Sequence, residues 1–190
     1  MRNINHYPLD YFVKYEEKLK GLLLEQATKS GILNGQLLEA EELDLKWKEM
    51  APEYMADAVP EIARYPMVSI AWAGYLGLAI GHFWDRDWLS YQSRSDLYQS
   101  LRNPRGFDAM DEYIVEEVLG LQLDSYPYKK LEEALQSLSE TALTLIRREN
   151  INAQTTDAFH IYSHTVKVMF KIGVAMELRR LGYNYVKTKI

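Results

Sequence analysis

The chain has 190 residues, 47% hydrophobic and 26% charged, the balance of a folded globular protein with a sizeable core and not of a disordered one. Its formal charge of −5 argues against nucleic acid, because such partners need a basic face to displace counterions. With no cysteine, disulfides, thiolate metal sites and cysteine nucleophiles are excluded, and a cytoplasmic home is the expectation.

The opening residues, MRNINHYPLDYFVKYEEKLK, contain no apolar signal core. Pro8 suits a first helical turn. Phe12, Tyr15, Leu19, Leu22, Leu23 and Gln26 then follow helical spacing to a stop at Gly31. Tyr7, Tyr11 and Tyr15 fall on one side of that helix. A second helix opens at Gly35, with Leu37, Ala40, Leu43, Trp47 and Met50 on its apolar face. Its other side carries Glu39, Glu41, Glu42, Asp44, Lys46 and Lys48, which reads as a solvated face. Pro52, Pro60 and Pro66 then punctuate the chain, so short helices are expected between 52 and 64.

The central element is the stretch 66–90. From Tyr65 through Trp84 the only residue able to carry charge is His82. Ser69, Ala73, Gly77 and Gly81 recur every four residues and form a ridge of small side chains. Interior glycine costs about 1 kcal/mol relative to alanine, so Gly74, Gly77 and Gly81 require a reason. Close approach of a neighbouring backbone is the preferred one, and approach of a ligand is the alternative. A run this long raises the question of a membrane span. The proline, the glycines and His82, together with the need of the other amphipathic helices for a common partner, favour a buried core helix without a membrane.

Further helices are expected from Ser93 or Ser95 to Asn103, from Asp108 to Gly120, and from Asp124 or Ser125, with Pro127 in the first turn, to Asn150. The last helix should run from Thr155 or Thr156 to Leu181, with Gly182 as its stop. Its apolar residues spread so widely that it should pair with the central helix in the core. The tail from 183 to 190 reads as a frayed or strand-like arm. The expected fold is therefore all-α. It is a single-domain bundle over 1–190 of about six to eight helices, built around the helix near 66–90 and the helix near 155–181.

No nucleophile elbow, phosphate loop or dinucleotide fingerprint is present. The candidate chemistry lies in His82, Asp85, Asp157, His160 and His164. Asp157, His160 and His164 share one face of the last helix, and His82 and Asp85 share one of the central helix. If the two helices meet, these five would suit Zn, Fe, Mn or Ni, and an open position could activate water. The pattern is not HExxH, and Asp157 with His160 is only half of a di-iron repeat. The competing reading comes from Lys167 and Lys171, which extend the same line and make it a solvent-facing stripe. Asp85 and Asp87 around Arg86 diverge on a helix and suggest a salt-bridged end.

Three functions stand side by side. The first is a homo-oligomeric interaction or structural module without catalytic activity, with a homodimer or another protein as partner. The second is a metal-dependent hydrolase or oxidase, in which a divalent transition metal is the one cofactor implied. The third is a small-molecule-binding bundle with its pocket between the glycine ridge and Trp72, Tyr75, Phe83, Trp84 and Trp88.

Overall fold

The computed structural model describes residues 6–183. Among them are seven α-helices and no strand. They are α1 (Leu9–Lys29), α2 (Glu41–Ala58), α3 (Pro66–Gln92), α4 (Leu97–Arg102), α5 (Met110–Tyr113), α6 (Tyr126–Arg148) and α7 (Thr156–Arg180). A π-helical turn, Ile114–Val118, extends α5. The expected tail lies, beyond Tyr183, outside the described residues.

The helices begin and end where local chemistry directs. Ser125 caps α6 by accepting from the Tyr128 amide at 3.3 Å, and Thr155 caps α7 by accepting from Ala158 at 3.1 Å. Gly182, at φ +99, takes the left-handed turn that stops α7.

Core packing is dominated by α3 against α7. The two run parallel, since their contacts advance together: Tyr162 donates to the Ser69 carbonyl at 2.7 Å, and His82 meets Glu177 at 3.0 Å. Glycine makes the closeness possible. A Cβ on Gly77 would lie 2.1 Å from the Phe170 carbonyl oxygen, and one on Gly173 would lie 2.0 Å from that of Gly74. Backbone thus meets backbone, as the ridge of small residues required. Gly74 also faces Leu135 of α6.

The remaining helices clothe this pair. α1 lies alongside α7, with the Tyr15 and Thr165 hydroxyls 2.6 Å apart. α6 runs against α1, bringing Gln26 to Ser137 at 2.8 Å and Tyr11 to Glu149. On the other side α2 stacks Trp47 on Phe170 (4.9 Å) and donates from Tyr54 to the Ser69 carbonyl (2.6 Å). Helix α3 is long and apolar enough to cross a membrane, but 78% of its apolar window is buried inside the protein.

Four details depart from expectation. The second helix opens at Glu41 and not at Gly35, whose backbone is left-handed (φ +90). Pro52 does not end α2, which continues to Ala58. The carbonyl that loses its donor belongs to Lys48, an exposed residue. Lys46 is not on a solvated face. It is 2% exposed and donates to the Gln92 and Arg94 carbonyls at 2.9 and 3.0 Å, a cation on the negative end of α3. Finally, α3 kinks at Asp87 (φ −159, ψ 71), whose carboxylate accepts from the Ser90 amide at 3.4 Å, a cap that restarts the helix, and from Ser90 Oγ at 2.6 Å.

Candidate functional site

The five candidate ligands separate into two places. His82 and Asp85 lie toward the C-terminal ends of the parallel α3–α7 pair, whereas Asp157, His160 and His164 lie in the N-terminal half of α7. The helical rise between His160 and the level of Glu177 is roughly 25 Å. Among the described residues, no group of three or more His, Cys, Asp or Glu side chains gathers closely enough to hold a metal ion.

At the far end of the seam, His82 Nδ1 lies 3.0 Å from Glu177 Oε2. Glu177 is fully buried and also takes Arg180, whose Nε is 2.5 Å from Oε1 and whose Nη2 is 3.0 Å from Oε2. A carboxylate paired with a guanidinium orients the imidazole, with Nδ1 as donor. His82 Nε2 is buried and has no hydrogen-bond partner. The arrangement locks the ends of α3 and α7 together. Asp85 turns instead to the Tyr183 hydroxyl at 2.5 Å, while Asp87 caps the kink, so the two acids serve different partners. Glu177 is not among the sequence candidates, although a lone acid between Met176 and Leu178 in an apolar run is a signal for a buried partner.

The polar stripe on α7 faces neither a metal nor open solvent. It faces α1 and the segment leading into α2. Asp157 is 8% exposed and accepts from the Tyr7 amide at 3.4 Å. His160 lies against the Phe12 ring at 5.2 Å between centroids. His164 Nδ1 meets Glu16 at 2.9 Å and Lys167 meets the same carboxylate at 3.3 Å. Burial pushes the Glu16 carboxyl up, but His164 and Lys167 outweigh it and hold it below the usual carboxylate range. Lys171 reaches Glu39 at 3.0 Å and Asp44 at 3.2 Å. The stripe is an inter-helix ladder of ion pairs.

A second titratable cluster sits where α3, α5 and α6 meet. Burial pushes the Asp111 carboxyl up to about 6, with Glu112 and Glu132 adding repulsion. Burial also raises the nearby Tyr128 hydroxyl to about 12 and moves Tyr75 well above the usual tyrosine range.

The glycine ridge is occupied: α7 backbone lies against Gly77 and Gly81, and Leu135 lies against Gly74. The larger concavities lie elsewhere. A groove of about 940 Å³ runs between α2 and α7, floored by Trp47, Ala51 and Met55 and edged by Phe159. A chamber of about 540 Å³ opens where α3, α6 and α7 converge. Val59, Pro60 and Phe159 border both.

No protein-family model, curated protein or solved structure matches this chain.

Proposed function

We propose that the protein is a non-catalytic interaction module that forms a homodimer through the outer face of α2. The observation that carries this reading is a line of exposed residues: Leu45, Lys48, Pro52, Ala56 and Val59. Their spacing of three and four residues places them on one stripe of the helix, and Val59 keeps helical dihedrals just past its end (φ −57, ψ −43). Leu45 is 55% and Val59 39% exposed.

The stripe is symmetric in sequence about Pro52. An isologous two-fold contact sets residue i against j while j meets i, and this spacing puts an exposed stripe residue opposite each of the others. Antiparallel pairing of two α2 helices about Pro52 sets Leu45 of each copy against Val59 of the other. Lys48 then lies over Ala56, whose small side chain leaves room for the lysine stem. The adjoining groove and the half-exposed Phe159 widen the apolar area available. The placement of the histidines supports a non-catalytic role, since His82 and His164 are committed to Glu177 and Glu16.

Sedimentation equilibrium tests this. The expected mass is that of two chains for the parent and one chain for Leu45→Glu or Val59→Glu. Both substitutions are at exposed positions and should leave the helical CD spectrum unchanged. Combining Leu45→Glu with Val59→Lys should restore the dimer by placing opposite charges in register. A monomeric parent at every workable concentration would refute the proposal, as would a dimer indifferent to both single substitutions.

A further inference from the structure

We propose that the chamber at the junction of α3, α6 and α7 binds an uncharged lipophilic molecule, a hydrocarbon body carrying one neutral polar head. This goes beyond self-association: Val59, Pro60 and Phe159 border both features, but the rest of the chamber lining lies apart from the α2 stripe.

The chamber opens to the surface, and its volume, about 540 Å³, falls in the range of small-molecule sites. Its walls are chiefly Ile62, Ile70, Leu143, Ile146, Ile151 and Ile161, with the rings of Phe159 and Tyr162 beside them, and no charged residue lines it. The polar side chains on the lining are few, and most are committed. Thr155 Oγ1 donates to the Asn152 carbonyl at 2.7 Å and accepts from the Ala158 amide. The Tyr162 hydroxyl donates to the Ser69 carbonyl. That leaves the carboxamide of Gln154, at an exposed position on the lining. Gln154 has a left-handed backbone (φ +61), an uncommon conformation for a residue of its kind.

This inventory sets the ligand's chemistry. A hydrocarbon body matches the walls. A formal charge would enter without a counter-charge and lose its hydration uncompensated. Nor does the positive end of α7 invite a carboxylate. Asp157, between the lining residues Thr155 and Ala158 in sequence, already supplies an anion in the first turn. A single hydroxyl, amide or carbonyl is what one free carboxamide can meet.

The test uses the full chain and the uncharged fluorophore N-phenyl-1-naphthylamine, displaced by straight-chain alcohols from hexanol to tetradecanol. Saturable probe binding is expected. Each added methylene should tighten displacement about fourfold, until the chain fills the chamber and the gain stops. The carboxylate of equal length should be weaker by about tenfold or more. Ala158→Trp should abolish binding with the thermal melt retained. Ala153→Trp, at an exposed position on the same lining, should do the same should Ala158→Trp fail to fold. Leu45→Glu, which separates the proposed dimer but lies outside the chamber, should bind like the parent, so the two proposals fail independently. Absence of saturable binding, parent-like binding in the folded tryptophan variants, or a carboxylate as tight as its alcohol would each overturn the proposal.

Discussion

Replacing Gly77 by alanine adds one methyl group, yet the structure makes it a severe change. The new Cβ would lie 2.1 Å from the Phe170 carbonyl oxygen and 2.9 Å from both Gly173 Cα and Val174 N. All three obstacles are backbone, so no side-chain rotation relieves them. Helix α7 would have to retreat by roughly 1 Å, and a gap of that size forfeits a quarter to a half of each van der Waals contact along the seam. Overpacking of a tight core costs about 1–3 kcal/mol. A shift shared by the two central helices belongs at or above the top of that range, even after alanine returns about 1 kcal/mol of helix propensity. We therefore expect a net loss of about 3 kcal/mol or more, a large part of the roughly 5–15 kcal/mol that holds a domain folded. Urea unfolding followed by far-UV circular dichroism measures it. Gly21→Ala supplies the internal control: Gly21 is helical with nothing within 4 Å of its added Cβ, so this change should stabilise by about 0.5–1 kcal/mol. Gly74→Ala should fall between them, because its Cβ meets a rotatable Leu135 methyl at 2.5 Å. If Gly77→Ala lies within experimental error of Gly21→Ala, the backbone contact between α3 and α7 is not what holds the seam.

Glu177→Ala should cost about 3 kcal/mol in the same assay, because it strips the buried partner from both His82 and Arg180; Glu177→Gln, which keeps the shape and one acceptor, should cost visibly less. Asp111→Asn should raise stability near neutral pH. The native carboxyl titrates near 6 against about 3.9 in an unfolded chain, so the folded state binds more protons between those values and stability falls as pH rises through them. The shift corresponds to at most about 3 kcal/mol, reduced to about 1–2 kcal/mol by solvent screening at a partly exposed position. Melting curves of parent and variant should converge near pH 4 and separate above pH 6; equal separation at both ends would place the effect outside titration.

The helices were legible because punctuation and period agreed. Ser125 with Asn150, and Thr155 with Gly182, bracket α6 and α7 close to where the sequence placed them. The ridge of small residues announced a close partner, and the breadth of apolar positions on α7 named it. What the period does not encode is which neighbour lies against a polar face. Asp157, His164, Lys167 and Lys171 form a line that resembles a solvent face, and its acidic complements, Glu16, Glu39 and Asp44, come from distant segments. Lys46 misled for a similar reason. It sits among acids in the sequence, while the carbonyls it neutralises belong to Gln92 and Arg94. The kink had a local cue in Asp87 itself, a capping residue type whose carboxylate reaches the amide three residues on.

The seam that organises the fold also limits where function can reside. Helices that touch through glycine backbones leave no volume between them, so the most apolar part of the sequence is the least able to hold a ligand. His82 shows the consequence. It is committed to Glu177 at the end of that seam, and its free nitrogen is sealed from solvent. Apolar recesses lie away from the seam, at the α3–α6–α7 junction and along α2. Tight α3–α7 contact makes both features rigid: the chamber walls Ile70 and Ile161 are fixed by the same pair of helices, and α2 is anchored to that pair through Trp47, Tyr54 and Lys46. Loosening the seam with Gly77→Ala should therefore weaken alcohol binding in the chamber even under conditions where the variant remains folded.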